Sequence, residues 1–265
     1  MRAIQRLLLA AYALACRLGL LRLPGASRIV LTAYEAYKRR IEAPFLPGMA
    51  PLVTPGSLAL DIGANVGFFT EPFARWAGPE GRVIAVEPDP ANFAALAHRV
   101  SSRGLATTVT LVEAAAAATA GPGLTLAQDP DHPGNHRLAP DGLPVRGVTV
   151  DELVARVPDH RVSLIKIDVQ GAELLVLRGA AQTLARHRPA LLVEIDDDAL
   201  RALGASAGEV CDYLAGAGYA PHAVSARGVG EPLARGEVVE RSARGEYLDV
   251  LFVSGAATGG DGPRG

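Results

Sequence analysis

Leu58-Ala59-Leu60-Asp61-Ile62-Gly63-Ala64-Asn65-Val66-Gly67-Phe68 is the stretch on which the fold turns. An apolar run ends in an acid and passes directly into a turn of small residues. A helix-like segment, Phe69 to Trp76, follows. This order predicts a buried strand, a tight loop and a helix start. Such a loop presents backbone N–H groups at the positive end of a helix, which suits a polar or anionic group of a nucleoside. Gly63 and Gly67 allow a ligand close to the backbone, and Asn65 tolerates a left-handed turn. Twenty residues beyond Gly67, a second strand, Arg82-Val83-Ile84-Ala85-Val86, ends in Glu87. A carboxylate there can accept hydrogen bonds from both hydroxyls of a ribose.

The pattern Asp-x-Gly-x-Asn-x-Gly is not the dinucleotide fingerprint Gly-x-Gly-x-x-Gly, which is shaped to a pyrophosphate. Its glycines are four residues apart and an acid precedes the first. A carboxylate at Asp61 repels a pyrophosphate. It favours the ammonium and sulfonium of S-adenosylmethionine, so the spacing reads as a methyl-donor site. A packed strand–helix turn without any ligand is the competing reading, and Glu87 at the end of its own strand argues against it.

Later in the chain come Leu164-Ile165-Lys166-Ile167-Asp168-Val169-Gln170-Gly171-Ala172-Glu173 and Arg188-Pro189-Ala190-Leu191-Leu192-Val193-Glu194. Together with Asp61 to Gly67 and Val86-Glu87-Pro88-Asp89, these segments resemble the FkbM family of S-adenosylmethionine-dependent methyltransferases. The resemblance runs from about Pro55 to Glu194. One departure is Gln170, where the family often carries Glu. The resemblance implies a class I methyltransferase fold, with Gly63, Ala64, Asn65, Gly67, Glu87 and Glu113 near the cofactor beside Asp61. It also implies O-methylation of a hydroxyl on a sugar, glycolipid or natural-product acceptor.

The rest of the chain fits one α/β domain. Strands alternate with helical segments, and 49% of its 265 residues are hydrophobic, enough for a substantial core. The expected architecture is a Rossmann-like, mostly parallel seven-stranded sheet with helices on both faces. Asp89-Pro90 opens a helix toward Val100. Thr108–Val112, Val162–Ile167 and Ala190–Ile195 read as the next parallel strands, and Leu174–His187 as one helix. Capping boxes stand at Thr149-Val150-Asp151-Glu152 and Ser206-Ala207-Gly208-Glu209. Tyr219–Val224 and Tyr247–Val253 supply the last two strands. Gly121–Leu143, rich in Pro, Gly and Asp, reads as a loop or hairpin carrying substrate contacts. Domain boundaries fall at 1–50 for a helical extension, 51–254 for the catalytic domain and 255–265 for a disordered tail.

Charge separates the extension from the domain. Arg2, Arg6, Arg17, Arg22, Arg28, Lys38, Arg39 and Arg40 face only Glu35 and Glu42, a charge of +6, while the net charge of the whole chain is −2. Leu7–Ala15 is too short to span a bilayer, which takes ~20 apolar residues, and no cleavage signature follows it. The extension reads as an amphipathic helix packed on the domain, or as one resting on an anionic membrane surface of a cytoplasmic protein. Near-neutral net charge gives no pull toward nucleic acid, and aromatic residues for base stacking are scarce. Cys16 and Cys211 lie in no metal or redox spacing. Arginine far outnumbers lysine, a bias of GC-rich bacterial coding, so Lys166 inside the motif stands out.

Five acids, Asp61, Glu87, Glu113, Asp168 and Glu194, fall at or next to strand C-termini, where open α/β sheets bind ligands. Asp168 is the first candidate for the base that takes the acceptor's proton; orienting the cofactor or capping the next helix competes with that role. Glu173 positions substrate or the Asp168 loop, or forms a structural salt bridge. Lys166 pairs with Asp168 or orients the acceptor. His136 is an alternate base in a substrate lid, and its spacing from His132 suits metal ligands only on a helix, which Pro133-Gly134 oppose. Asp168, Glu194 and Asp196 offer oxygen ligands for Mg²⁺, against a capping role; the metal stays unknown. A nicotinamide oxidoreductase and a non-catalytic nucleoside-binding scaffold are the competing functions.

Overall fold

The computed structural model describes residues 43–129 and 135–255. Residues 1–42, with Cys16 and most of the basic extension, lie outside the described residues, as do His132 and the tail from residue 256.

The predicted central strands form. β1 (Leu58–Ile62), β2 (Arg82–Val86), β3 (Val109–Val112), β8 (Val162–Ile167) and β9 (Ala190–Ile195) pair in parallel, in the order β3-β2-β1-β8-β9. Strands covered on both faces read as continuous apolar runs, and every residue of β1 is buried. Alternation sends successive side chains to opposite faces. Leu58, Leu60 and Ile62 join Ile165, Ile167, Val193 and Ile195 in one core layer. Ala59 joins Val83, Ala85, Leu164 and Leu192 in the other.

Among the helices packed on the first layer are α3 (Val150–Ala155), α4 (Glu173–Arg178), α5 (Ala181–His187) and α7 (Ala207–Gly216). The second layer carries α1 (Thr70–Ala77), α2 (Pro90–Ser102) and the 3₁₀ turn Leu46–Leu52. Met49 in that turn is fully buried, so residues 43–50, which the sequence assigns to the extension, pack with the sheet. The helix starts are as the sequence reads them. Asp89 accepts from the N–H groups of Ala91 and Asn92 at α2. Thr149 and Glu152 form the reciprocal capping box of α3.

The sheet departs from the expected seven strands. It has eight, in the order β11-β10-β12-β9-β8-β1-β2-β3, and the pairings β11/β10, β10/β12 and β12/β9 are antiparallel. β10 (Tyr219–Ser225) and β12 (Leu248–Ser254) match the sequence reading; β11 (Gly228–Pro232) is the addition. It is a short edge strand ending in proline, which an edge tolerates. Helices α6 (Asp197–Ala202) and α8 (Arg235–Ala243) complete this end.

The 174–187 segment also differs, since it breaks into α4 and α5. A Cβ on Gly179 would stand 2.2 Å from the Ala117 carbonyl, so the backbones touch where the helix stops. Asp151 then caps α5 from outside, accepting from the N–H groups of Gln182 and Thr183.

Gly121–Leu143 is the expected hairpin, within a separate sheet. β5 (Gly121–Ala127) pairs antiparallel with β7 (Leu143–Val148) and with β6 (Arg137–Leu138), while β4 (Ala115–Ala116) joins β7. Its apolar side, Leu126 and Leu138, packs on Ala172 and Val169. The small sheet therefore lies against the loop that follows β8.

Candidate functional site

The chain steps from β1 to β2 and β3 on one side and to β8 and β9 on the other. Beyond the strand C-termini at such a switch point a crevice opens, and the predicted site residues gather there in two groups.

The first group surrounds Lys166. Asp61 and Lys166 are register partners on β1 and β8. The Lys166 ammonium lies 3.0 Å from an Asp168 oxygen and 3.6 Å from Asp61, and it donates to the Gly63 carbonyl at 2.8 Å. The ring of Phe69 stands 5.2 Å away, within cation–π range. Burial alone would lower the pKa of this ammonium. The carboxylates of Asp168 and Asp61 outweigh burial and hold it above the usual lysine range.

Asp61 does not lie on the open rim. It is 0% exposed, because strand alternation sends its side chain toward α1, where the Thr70 hydroxyl donates to it at 2.6 Å. Its carboxylate acts on Lys166 and the loop rather than at the edge of the crevice. Thr70 carried no signal in the sequence; it reads as an ordinary first helical residue.

The loop itself behaves differently from expectation. Gly63 and Ala64 both donate to the Val86 carbonyl, Asn65 donates to Glu87 and Gly67 to the Ala64 carbonyl. The first three of these N–H groups tie β1 to β2 and the fourth closes the loop on itself, so these four do not form an anion cradle. The glycines answer to packing as well. A Cβ on Gly63 would meet the Asp168 carbonyl at 1.8 Å, and one on Gly67 would meet Leu96 at 2.7 Å. Asn65 does adopt the left-handed conformation, with φ 49°.

The second group surrounds Glu87 and Asp89. Glu87 is buried just past β2, and its two oxygens accept from the N–H groups of Asn65 (2.8 Å) and Asp89 (3.0 Å). Desolvation pushes its pKa to about 7 against those hydrogen bonds. A buried carboxylate with acceptor capacity to spare is costly alone, and a ribose diol supplies the donors it wants. By this test the residues fit a nucleoside cofactor. Glu113 is exposed just beyond β3. His136 is not beside Asp168. Its Nε2 lies 3.6 Å from Asp89, and its Nδ1 accepts from the N–H of Asp129 at 3.0 Å. Gln128 also donates to Asp89, at 2.5 Å. The small sheet thus ends over the turn after β2 that carries Glu87 and Asp89. Gln128 was invisible in the sequence, being one polar residue in a polar loop.

Asp168 sits just past β8, and its side chain is 30% exposed while Lys166 behind it is 5% exposed. Gln170 donates to Asp168 at 3.1 Å and to Glu194 at 2.7 Å. Burial and the Asp168 charge raise Glu194 well above the usual carboxylate range. Glu173 is 2% exposed, so it cannot touch an acceptor. Of its predicted roles it keeps the positioning of the Asp168 loop, accepting from the N–H groups of Val169 and Gly171. Desolvation pushes its pKa to about 7. Asp196 caps α6 through Asp198 and Ala199. Among the described residues no group of three or more His, Cys, Asp or Glu side chains is arranged to hold a metal ion.

Residues 61–221 match a family model described as the methyltransferase FkbM domain. Among solved structures, the chain is similar to methyltransferase FkbM from Methylobacillus flagellatus. Identity is 18% over 75% of this chain and 44% of that one, with a TM-score of 0.46. It is also similar to a SAM-dependent methyltransferase from Aquifex aeolicus, at 14% identity over 76% of this chain and 83% of that one, TM-score 0.41. A SAM-dependent O-methyltransferase from Thermotoga maritima matches at 12% identity over 80% and 64% of the two chains, TM-score 0.42. The chain therefore spans less than half the length of the Methylobacillus protein. No curated protein matches it. S-adenosylmethionine is the expected cofactor. The matched segment begins at Asp61, runs through Glu87, Asp168 and Glu194, and takes in well over half of the sequence; the chain belongs to the FkbM methyltransferase domain family.

Proposed function

We propose that the chain transfers a methyl group from S-adenosylmethionine to a hydroxyl of a sugar, glycolipid or natural-product acceptor. The observation that carries this reading is Asp168. Its carboxylate is the part-open member of an otherwise buried charge cluster at the sheet's switch point. When bound, the donor supplies a methyl group on a sulfonium, an already activated leaving arrangement, so the protein's task is alignment and proton removal. Glu87 holds the ribose hydroxyls. Lys166 and Gln170 each bind one oxygen of Asp168 and fix its orientation. Asp168 takes the hydroxyl proton as the acceptor oxygen attacks. Asp61 acts indirectly, by fixing Lys166 and α1.

Replacing Glu87 by Ala removes hydrogen bonds to two hydroxyls and weakens S-adenosylhomocysteine binding by about 2–3 kcal/mol in calorimetry. Unchanged affinity, or tighter binding of NAD than of the donor, sinks the assignment in favour of an oxidoreductase. Donor binding without transfer to any hydroxylated acceptor favours a scaffold.

The basic first fifty residues support a second element of the reading, peripheral contact with an anionic membrane surface on the cytoplasmic side. Among the described residues no helix is long and apolar enough to cross a membrane. In flotation assays the full chain is expected to bind vesicles containing phosphatidylserine, to ignore purely zwitterionic ones, and to release at high salt. Replacing Arg2, Arg6, Arg17 and Arg22 by Gln should abolish that binding. Binding indifferent to lipid charge refutes this element.

A further inference from the structure

Gln170 stands out for its backbone. It has φ 54°, one of three non-glycine residues with positive φ among those described. Asn65 is a residue type that accepts this conformation, and Arg188 ends α5 in it. Gln170 has neither excuse. The loop around it is pinned on every side. Asp168 donates its N–H to the Ile62 carbonyl, and Glu173 holds the N–H groups of Val169 and Gly171. A Cβ on Gly171 would stand 2.3 Å from the Ala199 carbonyl. Glycine would adopt the Gln170 conformation without strain, so the backbone alone gives no reason for this side chain. Strain kept at one position is a mark of use elsewhere.

We propose that Gln170 is a positioning residue: its amide, donating to Asp168 and Glu194 together, holds the two carboxyl groups as one hydrogen-bonded pair that shares a single proton. This rests on the methyltransferase reading above, since Asp168 is the group so positioned. The geometry explains why an amide serves here. Asp168 already has the Lys166 ammonium on its other oxygen. A third carboxyl between Asp168 and Glu194 would add an acceptor where donors are needed. The –NH₂ group has two hydrogens and no charge, one for each partner. Other charged or titratable groups also act on Glu194. Asp249 is its register partner on β12, Glu173 approaches from α4, and Lys166 adds a positive charge from β8. Asp196 and Tyr247 lie beyond it. Burial and then the Asp168 charge raise Glu194 well above the usual carboxylate range, while the Lys166 ammonium 3.0 Å from Asp168 favours the charged form there.

The test uses the full chain with Gln170→Gly and Gln170→Glu. Three measurements are made: urea unfolding, calorimetry with S-adenosylhomocysteine, and carbon-13 NMR titration of the Asp168 and Glu194 carboxyl carbons. The glycine variant should lose no more stability than the one-unit titration shift itself converts to, about 1.4 kcal/mol, and bind the probe within about twofold. Both carboxyls lose a donor that favours their charged form, so the shared titration should move up by about one pH unit. The glutamate variant should move it further. An unchanged titration in both variants overturns the proposal. So does a glycine variant whose stability loss well exceeds what the titration shift accounts for, because the amide would then be structural. Wild-type protein that fails to bind the probe, with the titration shift intact, refutes the methyltransferase reading and leaves the pairing standing.

Discussion

Asp168→Asn is expected to lower the methyl-transfer rate by ~10²–10⁴, the usual contribution of a positioned acid–base group. Asparagine keeps the shape of the side chain and an oxygen for Lys166 to bind. It loses the capacity to take a proton. Donor affinity should change little, because Glu87 belongs to the other cluster, with bonds to Asn65 and Asp89 rather than to the β8 loop. Single-turnover assays with a hydroxylated acceptor, beside calorimetry with S-adenosylhomocysteine, separate the two effects. A variant that transfers at near wild-type rate leaves simple alignment as the source of the catalysis. Loss of donor affinity equal to the loss of rate would make Asp168 a cofactor ligand instead. His136 is not a substitute base at this position, since its ring faces Asp89 and Asp129.

The central sheet was legible because parallel strands buried on both faces read as near-continuous apolar runs. Val162–Ile167 and Ala190–Ile195 carry that signal with their true limits. Helix starts were legible where a side chain caps them, as at Asp89 and Thr149. β11 and α8 were not. One is five residues on an edge, and the other buries only Val238 and Ser242, so neither leaves a strong apolar period. The break at Gly179 depends on a neighbouring backbone at Ala117, a contact between residues far apart in sequence. The site divides the same way. Residue types and strand ends placed Glu87, Asp168 and Glu194 at the crevice. What the sequence hid was direction. Asp61 lies inside β1, where α1 covers it and the Thr70 hydroxyl takes one of its oxygens. The loop N–H groups look available in one dimension, and are used once β2 lies alongside.

Lys166→Met should be the most destabilising of these substitutions, by about 3–5 kcal/mol, because it removes one partner from a buried ion cluster and leaves the carboxylates buried. Methionine matches the length of the lysine stem, so packing against Phe69 is retained and the loss reports charge. Asp61 is fully buried and gains little from solvent. The Gly63 carbonyl also loses its donor, which loosens the loop joining β1 to the cofactor side. Urea unfolding measures the effect. The double variant Asp61→Asn, Lys166→Met should recover part of it, since the uncompensated charge is then gone. Equal stability of single and double variants would mean that Asp61 does not need the ammonium. The alkaline limb gives an independent check. The folded pKa of Lys166 is held above its ordinary 10.5, so its stabilisation is complete below pH 10.5 and is lost as pH rises through the higher folded value. The wild type should therefore lose stability on that limb, and Lys166→Met should lose less, its contribution being already absent. A wild-type curve no steeper than the variant's would show that the ammonium contributes nothing to folding, and the β1–β8 contact would then rest on apolar packing alone.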